Sequence, residues 1–176
     1  FSYKYFSQRL IDLEFPAHLF IEATNACNLK CEMCSRSTSD REIGSMDFKL
    51  FKKIIDESAV YGNRNFCLHI FGEPLIAPNI VKMIEYIKTK NKKNAILLTT
   101  NGVFLDEEKR KAIINYSVDK VVISLLAANP ETYITITGRN DYSIVVENIL
   151  KLIGLKESMG VDRPIIHVRM IKNKTT

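Results

Sequence analysis

Three of the four cysteines in this 176-residue chain lie within eight positions, in the stretch CNLKCEMC that begins at Cys27. Cys27, Cys31 and Cys34 are spaced C-x-x-x-C-x-x-C. Thiolates are soft ligands that select zinc, copper or iron–sulfur clusters. A structural zinc site needs four ligands and would also require Cys67 or His69. Three ligands on one loop instead suit a cluster of four irons in which one iron has no protein ligand, and an open metal position is typical of catalysis.

Composition and charge narrow the function classes. Hydrophobic residues make up 46% of the chain, enough for the core of one domain, and the net charge is +5. The lysines lie in polar segments such as KTKNKKN, without interleaved aromatic residues, so we interpret them as a solvated surface and expect no nucleic-acid partner. The sequence has no apolar run near the ~20 residues of a membrane span, and we expect a cytoplasmic protein without a membrane partner.

Five apolar segments have the length and composition of buried strands, and helical patterns separate them. The predicted strands are AHLFIEA (17–23), FCLHI (66–70), AILLT (95–99), VDKVVISLL (118–126) and PIIHVRMI (164–171). The predicted helices are one capped by Asp47 or Ser45, one with Pro78 in its first turn, one capped by Asp106, one begun by Asn129-Pro130-Glu131, and one from about residue 141 to 160. This alternation indicates βαβ units and an α/β fold with a parallel sheet.

Polar motifs follow the predicted strands. The cysteine stretch follows the first strand, Gly72-Glu73-Pro74 follows the second, Thr99-Thr100-Asn101-Gly102 follows the third, and Ser124 lies near the end of the fourth. In parallel sheets, loops and helix N-termini converge at the carboxyl ends of the strands, where ligands bind. We therefore expect these motifs to share one rim of the sheet.

The cysteine motif and the order of the other motifs resemble the radical S-adenosylmethionine (radical SAM) enzymes. The resemblance covers nearly the whole chain from about residue 17. HIFGEPL is similar to the family's Gly-Glu-Pro motif, LLTTNG to its third-strand motif and ISLLAANPETYITITG to its fourth unit. MCSRS, FGEPL and NPETY are most similar to members with a C-terminal SPASM or twitch extension.

This resemblance implies a partial (βα)6 barrel, with a lead-in segment at residues 1–16 and a core domain at residues 17–176. Five of the six strands are visible in the sequence, so we expect the chain to be part of a longer protein that supplies the sixth. The three cysteines would bind a [4Fe–4S] cluster whose open iron takes S-adenosylmethionine. Reductive cleavage would give a 5′-deoxyadenosyl radical that abstracts hydrogen from a peptide, protein or small-molecule substrate. The electron donor would be a protein such as flavodoxin or ferredoxin.

The resemblance also implies which residues contact S-adenosylmethionine. These are Met33, Gly72, Glu73, Pro74, Thr100, Asn101, Ser124 and Arg139. In this assignment the Gly72-Glu73-Pro74 motif contacts the methionine ammonium, and Ser124 lies near the ribose or the methionine carboxylate. No catalytic side chain is assigned.

Four positions depart from the family pattern. Met33 stands where an aromatic residue is frequent, Phe71 replaces a glycine, Leu126 an aspartate and Thr137 an arginine. Arg139 or Arg169 is the expected substitute for that arginine, which in relatives contacts the methionine carboxylate.

Two other functions remain open from the sequence. One is a non-catalytic module in which zinc or an iron–sulfur group, bound by the three cysteines and Cys67, only stabilises the fold. The other is an activase for a glycyl radical enzyme, which would have a similar core. Cys67, His69 and His167 are interpreted as core residues.

Overall fold

Five parallel strands form one sheet in the computed structural model, which describes residues 14–171. The strands are β1 (His18–Phe20), β2 (Asn65–Cys67), β3 (Ala95–Thr100), β4 (Lys120–Leu126) and β5 (Ile165–Met170), paired in sequence order. The helices are α1 (Phe48–Ala59), α2 (Ile80–Lys90), α3 (Glu107–Asn115), α4 (Pro130–Thr137) and α5 (Tyr142–Ser158). The predicted α/β fold with a five-stranded parallel sheet is confirmed. Most of the expected lead-in segment lies outside the described residues.

The hydrophobic core lies between one face of the sheet and the helices. Alternate strand residues such as Phe66, Ile96 and Val121 are buried in this core. Helical residues including Phe51 and Ile84 pack in the same core. Because strand side chains alternate between faces, the residues between them face the opposite side, which is the concave side of a barrel.

Side-chain caps fix the start of three helices. Asp47 accepts hydrogen bonds from the amides of Lys49 and Leu50 at the start of α1, so Asp47 and not Ser45 is the cap. The predicted Asp106 cap of α3 and the Asn129 cap of α4 are also present. Each cap satisfies otherwise unpaired amides and sets where the preceding rim loop ends.

The first two strands are shorter than predicted, because the chain turns out of the sheet toward the rim. β1 ends at Phe20 and β2 ends at Cys67. Single hydrogen bonds from Ile21 to Cys67 and from Leu68 to Leu97 continue the pairing by one residue.

Three further helical features complete the fold. Pro78 precedes α2, which begins at Ile80, so the prediction that this proline lies in its first turn is wrong. Two short 3-10 helices, Ser35–Thr38 and Pro74–Ile76, lie on the rim. Within the described residues, every helix falls short of the length and apolar character that a bilayer crossing requires.

Candidate metal and cofactor site

A cavity of about 300 Å³ lies at the carboxyl ends of the strands. Nine of the eleven residues assigned from the sequence to the cluster or to S-adenosylmethionine line it: Cys27, Cys31, Met33, Cys34, Gly72, Glu73, Thr100, Asn101 and Ser124. The motifs after β1, β2 and β3 and at the end of β4 therefore meet at one rim, as the parallel sheet predicts.

The cysteine loop is held against the end of α4. The amides of Lys30 and Glu32 donate to the carbonyls of Thr137 and Ile136, at 3.2 and 3.0 Å. Leu29, which lies between Cys27 and Cys31, is buried. The carbonyls at a helix C-terminus lack partners within the helix, so the loop satisfies them while α4 fixes the loop.

Thr137 contributes to this contact in place of the arginine of the family pattern. Its side chain is fully buried, and its hydroxyl donates to the carbonyl of Tyr133 at 2.7 Å. Thr137 therefore supports the cysteine loop through its main chain and supplies no cation to the cavity.

Gly72 is where the backbone after β2 touches the backbone that leads into the cysteines. A Cβ atom at this position would lie 2.0 Å from the carbonyl oxygen of Thr24 and 2.7 Å from that of Ala26. The next amide, from Glu73, donates to the Ala26 carbonyl at 2.8 Å. Only glycine permits this approach, so Gly72 fixes where Cys27 emerges.

Glu73 is almost completely buried, with 2% of its surface exposed. One carboxylate oxygen accepts from the Leu75 amide at 3.0 Å and the Thr100 hydroxyl at 2.6 Å, and the other accepts from the Asn101 amide at 2.6 Å. Burial raises the pKa of Glu73, while these three donors act in the opposite direction. A carboxylate has about four acceptor sites, so three donors leave one free for a further group.

The Thr100-Asn101-Gly102 turn joins the Glu73 carboxylate to the cysteine loop. Asn101 is 7% exposed, and its side-chain nitrogen lies 2.8 Å from the Asn28 side-chain oxygen and 3.9 Å from the Cys27 sulfur. Asn148 of α5 braces the same turn by donating to the carbonyls of Gly102 and Val103. The turn is therefore fixed from both sides.

Asn28 is a residue of this site that the sequence analysis did not single out. Its side-chain nitrogen is buried and has no hydrogen-bond partner among residues 14–171. The available signal was a polar residue directly after a predicted ligand. Its meaning depends on the contact with Asn101, which is 73 positions away.

The thiols lie in a partly desolvated environment. Burial raises the pKa of Cys27, against the effect of the Leu29 amide that donates to its sulfur at 3.5 Å. Burial, followed by the neighbouring charges of Cys27 and Cys34, raises the pKa of Cys31 to about 11. Crowded thiolates repel one another, and a bound cationic metal group removes this repulsion.

The other side of the cavity is formed by Met33, Ser124 and Leu126. Met33 is 46% exposed. The pairing of β4 with β5 shifts register between Ser124 and Leu126, and Leu126 has a φ of 68°. This bulge directs an apolar side chain into the cavity where the family pattern has an aspartate.

The two candidate arginines and Pro74 occupy different places. The Arg139 side chain donates to the Asp141 carboxylate at 2.6 Å and is about half exposed. Arg169 lies on β5, in register with Ser124. Pro74 is buried and begins the 3-10 helix after Glu73.

The three residues that the sequence analysis placed in the core differ in their surroundings. Cys67 is buried within β2, as expected, whereas His167 is exposed on β5, so the interpretation of His167 as a core residue is wrong. His69 lines the cavity, and its Nδ1 atom is buried without a hydrogen-bond partner in the described part of the chain.

The chain belongs to the radical SAM superfamily, whose sequence profile matches residues 21–166. The predicted resemblance is thereby confirmed. Enzymes of this superfamily use a [4Fe–4S] cluster and S-adenosylmethionine.

Relatives of known name share part of their length with this chain. The tungsten-containing aldehyde ferredoxin oxidoreductase cofactor-modifying protein of Pyrococcus furiosus is 30% identical over 158 residues, which is 89% of this chain and 44% of that protein. The antilisterial bacteriocin subtilosin biosynthesis protein AlbA of Bacillus subtilis is 32% identical over 130 residues, or 73% of this chain and 28% of AlbA. The chain thus spans less than half of either relative.

The fold is shared with a solved structure, that of Streptococcus suis SuiB bound to its precursor peptide SuiA. The TM-score is 0.69 with 17% sequence identity, over 91% of this chain and 34% of SuiB. This likeness supports the partial-barrel architecture.

The residues of the cavity fit a [4Fe–4S] cluster. Three thiols from one loop supply sulfur ligands, and the side-chain nitrogen of Asn101, 3.9 Å from the Cys27 sulfur, is a donor of the kind that hydrogen-bonds to cluster sulfurs. Each of the three cysteines would bind a different iron of the cluster, and among residues 14–171 no three His, Cys, Asp or Glu side chains are arranged to hold a single metal ion.

Proposed function

We propose that Cys27, Cys31 and Cys34 hold a [4Fe–4S] cluster and that this chain is the core of an enzyme that abstracts hydrogen from a substrate. The observation that carries the proposal is the single cavity that joins the three thiols to the motifs after β2 and β3. The cluster would supply the electron that cleaves bound S-adenosylmethionine to methionine and a 5′-deoxyadenosyl radical.

The residues of this chain would orient S-adenosylmethionine and limit its contact with water. Glu73, in its ionised form, has one acceptor site left for the methionine ammonium, and its three existing donors fix that site in direction. Thr100 and Asn101 hold the carboxylate in place. Met33 is exposed at the mouth of the cavity, where a flexible thioether side chain can pack against adenine.

On the other side of the cavity, Ser124 supplies a hydroxyl for the ribose or the methionine carboxylate. Arg169 is a better candidate than Arg139 for contact with that carboxylate. It lies in register with Ser124, whereas Arg139 is paired with Asp141. The Asp141 carboxylate is buried, so moving Arg139 would leave that charge uncompensated.

The substrate we favour is a peptide or protein. AlbA is named for the biosynthesis of the bacteriocin subtilosin, and the structural neighbour SuiB was solved with a bound precursor peptide. The name of the Pyrococcus protein points instead to a cofactor, so a small-molecule substrate is the second candidate. A cytoplasmic flavodoxin or ferredoxin would supply the electron, and an activase for a glycyl radical enzyme would share the same core.

A structural zinc site is less favoured by the position of the fourth cysteine. Cys67 is buried within β2, in register with Phe20 and Leu97, whereas the other three cysteines lie on the rim loop. Zinc requires all four ligands about 2.3 Å from one point. Cys67 would have to leave the sheet to reach such a point.

Substitution of each cysteine tests the proposal. After anaerobic reconstitution with iron and sulfide, Cys27→Ala, Cys31→Ala and Cys34→Ala should each lose the brown colour and the bound iron. Cys67→Ala is the matched control and should retain both. With dithionite and S-adenosylmethionine, wild-type protein should release 5′-deoxyadenosine.

Other results would contradict the proposal. Iron loss in Cys67→Ala equal to that in the other variants would indicate a four-cysteine site. A colourless wild-type protein that binds zinc under the same conditions would favour the structural module.

A further inference from the structure

We infer that Asn28 and Asn101 form a pair of amide donors that raises the reduction potential of the cluster from its Cys27 corner. The inference rests on the proposed function, because it presupposes a cluster on the three cysteines. Its physical basis is a chain of contacts from the Glu73 carboxylate, through Asn101, to the sulfur of Cys27.

The orientation of the Asn101 amide is determined by its partners. Its side-chain oxygen accepts from the amide of Val103 at 3.0 Å. A backbone amide only donates, so the atom that faces Val103 must be oxygen. The nitrogen therefore points the other way, toward Asn28 and the Cys27 sulfur, at 2.8 and 3.9 Å.

The backbone of Asn101 fixes the position of this donor. Its amide donates to the Glu73 carboxylate at 2.6 Å, and the hydroxyl of Thr100 donates to the same carboxylate at 2.6 Å. Asn101 is 7% exposed, so solvent does not compete for its side-chain nitrogen. The donor is fixed in place before a cluster binds.

Asn28 adds a second donor at the same corner. Its oxygen accepts from Asn101, which directs its own nitrogen elsewhere. That nitrogen is buried and has no partner within residues 14–171, and an unsatisfied buried donor is destabilising. Because Asn28 directly follows Cys27, a cluster sulfur at Cys27 is the partner that we assign to this nitrogen.

The direction of the effect follows from charge. Reduction adds one negative charge to the cluster, and part of that charge lies on its sulfur atoms. An N–H donor to sulfur stabilises the more negative state more strongly, so it raises the potential. Removal of the donors should make the cluster harder to reduce.

The test is a redox titration of reconstituted protein with dithionite and mediators. The EPR signal of the reduced cluster is recorded at each potential. At the potential where half of the wild-type clusters are reduced, the ratio of reduced to oxidised cluster in Asn101→Ala should be about tenfold lower. For a one-electron couple this equals a shift of about 59 mV to more negative potential. Asn28→Ala should shift in the same direction by a smaller amount.

Asn148→Ala is the matched control. Asn148, on α5, donates to the Gly102 and Val103 carbonyls of the same turn. It contacts the turn on the side that faces away from the cysteines. Its loss loosens the turn without removing a donor to sulfur, so the potential should stay at the wild-type value. An equal shift in Asn148→Ala would overturn the inference in favour of a general effect of loop position.

The remaining outcomes are also decisive. Wild-type potentials in both Asn28→Ala and Asn101→Ala, with normal iron content, would overturn the inference and leave the proposed function intact. If Asn101→Ala fails to load iron, the reduction potential of Asn28→Ala decides the question, because Asn28 is only half-buried and its substitution disturbs the fold less. Failure of the wild-type protein to load iron would instead refute the proposed function.

Discussion

Two regions of the sheet differ in how their residues are packed, the rim that follows β2 and β3 and the edge strand β5. On the rim, Glu73, Thr100 and Asn101 are at most 7% exposed, and hydrogen bonds connect all three. On β5, Ile165 and Val168 are each 44% exposed. The same sheet therefore has a rim built from buried polar groups that bond to one another and an edge strand with exposed apolar side chains.

This difference agrees with the proposed function, in which the rim after β2 and β3 binds the cofactor. Side chains that bind a cofactor are positioned most precisely when hydrogen bonds and packing fix their rotamers. Exposed strand residues can change with little effect on the core. The comparison predicts that substitutions on the rim after β2 and β3 are costly and that similar substitutions on β5 are not.

The largest effect is expected for Gly72→Ala. Its new Cβ would lie 2.0 Å from the Thr24 carbonyl oxygen, and backbone atoms cannot move aside as a flexible side chain can. We expect a loss of about 3 kcal/mol or more in the free energy of unfolding, because the cysteine loop must shift. Urea unfolding of the apoprotein and iron content after reconstitution measure the two consequences.

Gly44→Ala is the control for this substitution. Gly44 follows the cysteine loop in sequence, and a Cβ at its position would have no atom within 4 Å. The change in unfolding free energy should stay within about 0.5 kcal/mol. Equal stability of the Gly72→Ala and Gly44→Ala proteins would show that the close approach at Gly72 imposes no constraint.

An intermediate effect is expected for Thr100→Val, which keeps the shape of the side chain and removes its hydroxyl. The Glu73 carboxylate loses a donor at 2.6 Å, and the Gly102 amide loses an acceptor at 3.0 Å. A hydrogen bond to a charged, buried group contributes about 1.5–3 kcal/mol, and we expect a loss of that size in urea unfolding. In a Glu73→Gln background the cost should be smaller by more than about 0.5 kcal/mol. Additive costs would mean that the two groups are not coupled.

The sequence was sufficient for those features that depend on local pattern. Helix caps at Asp47, Asp106 and Asn129 follow from short-range hydrogen bonding, and the parallel sheet follows from the alternation of strands and helices. The parallel sheet in turn places the motifs on one rim, so most of the cavity residues were predicted without coordinates.

The features that were not predicted depend on contacts between distant residues. The hydrogen bond from the Lys30 amide to the Thr137 carbonyl joins positions more than one hundred residues apart, and the role of Asn28 depends on Asn101. The bulge at Leu126 gives no sequence signal either, because a leucine with positive φ is unexpected from its residue type. Tertiary packing decides all three.

The smallest effect is expected for Val168→Thr, which is the reverse of the exchange at Thr100. Val168 is 44% exposed on β5, so its new hydroxyl can remain hydrated and little apolar area is lost. The free energy of unfolding should change by less than about 0.5 kcal/mol, as measured by urea unfolding under the conditions used for Thr100→Val. A loss above about 1.5 kcal/mol would show that this face of β5 is buried in solution. The contrast between the rim and β5 would then come from cover over β5, not from a difference in how the sheet is built.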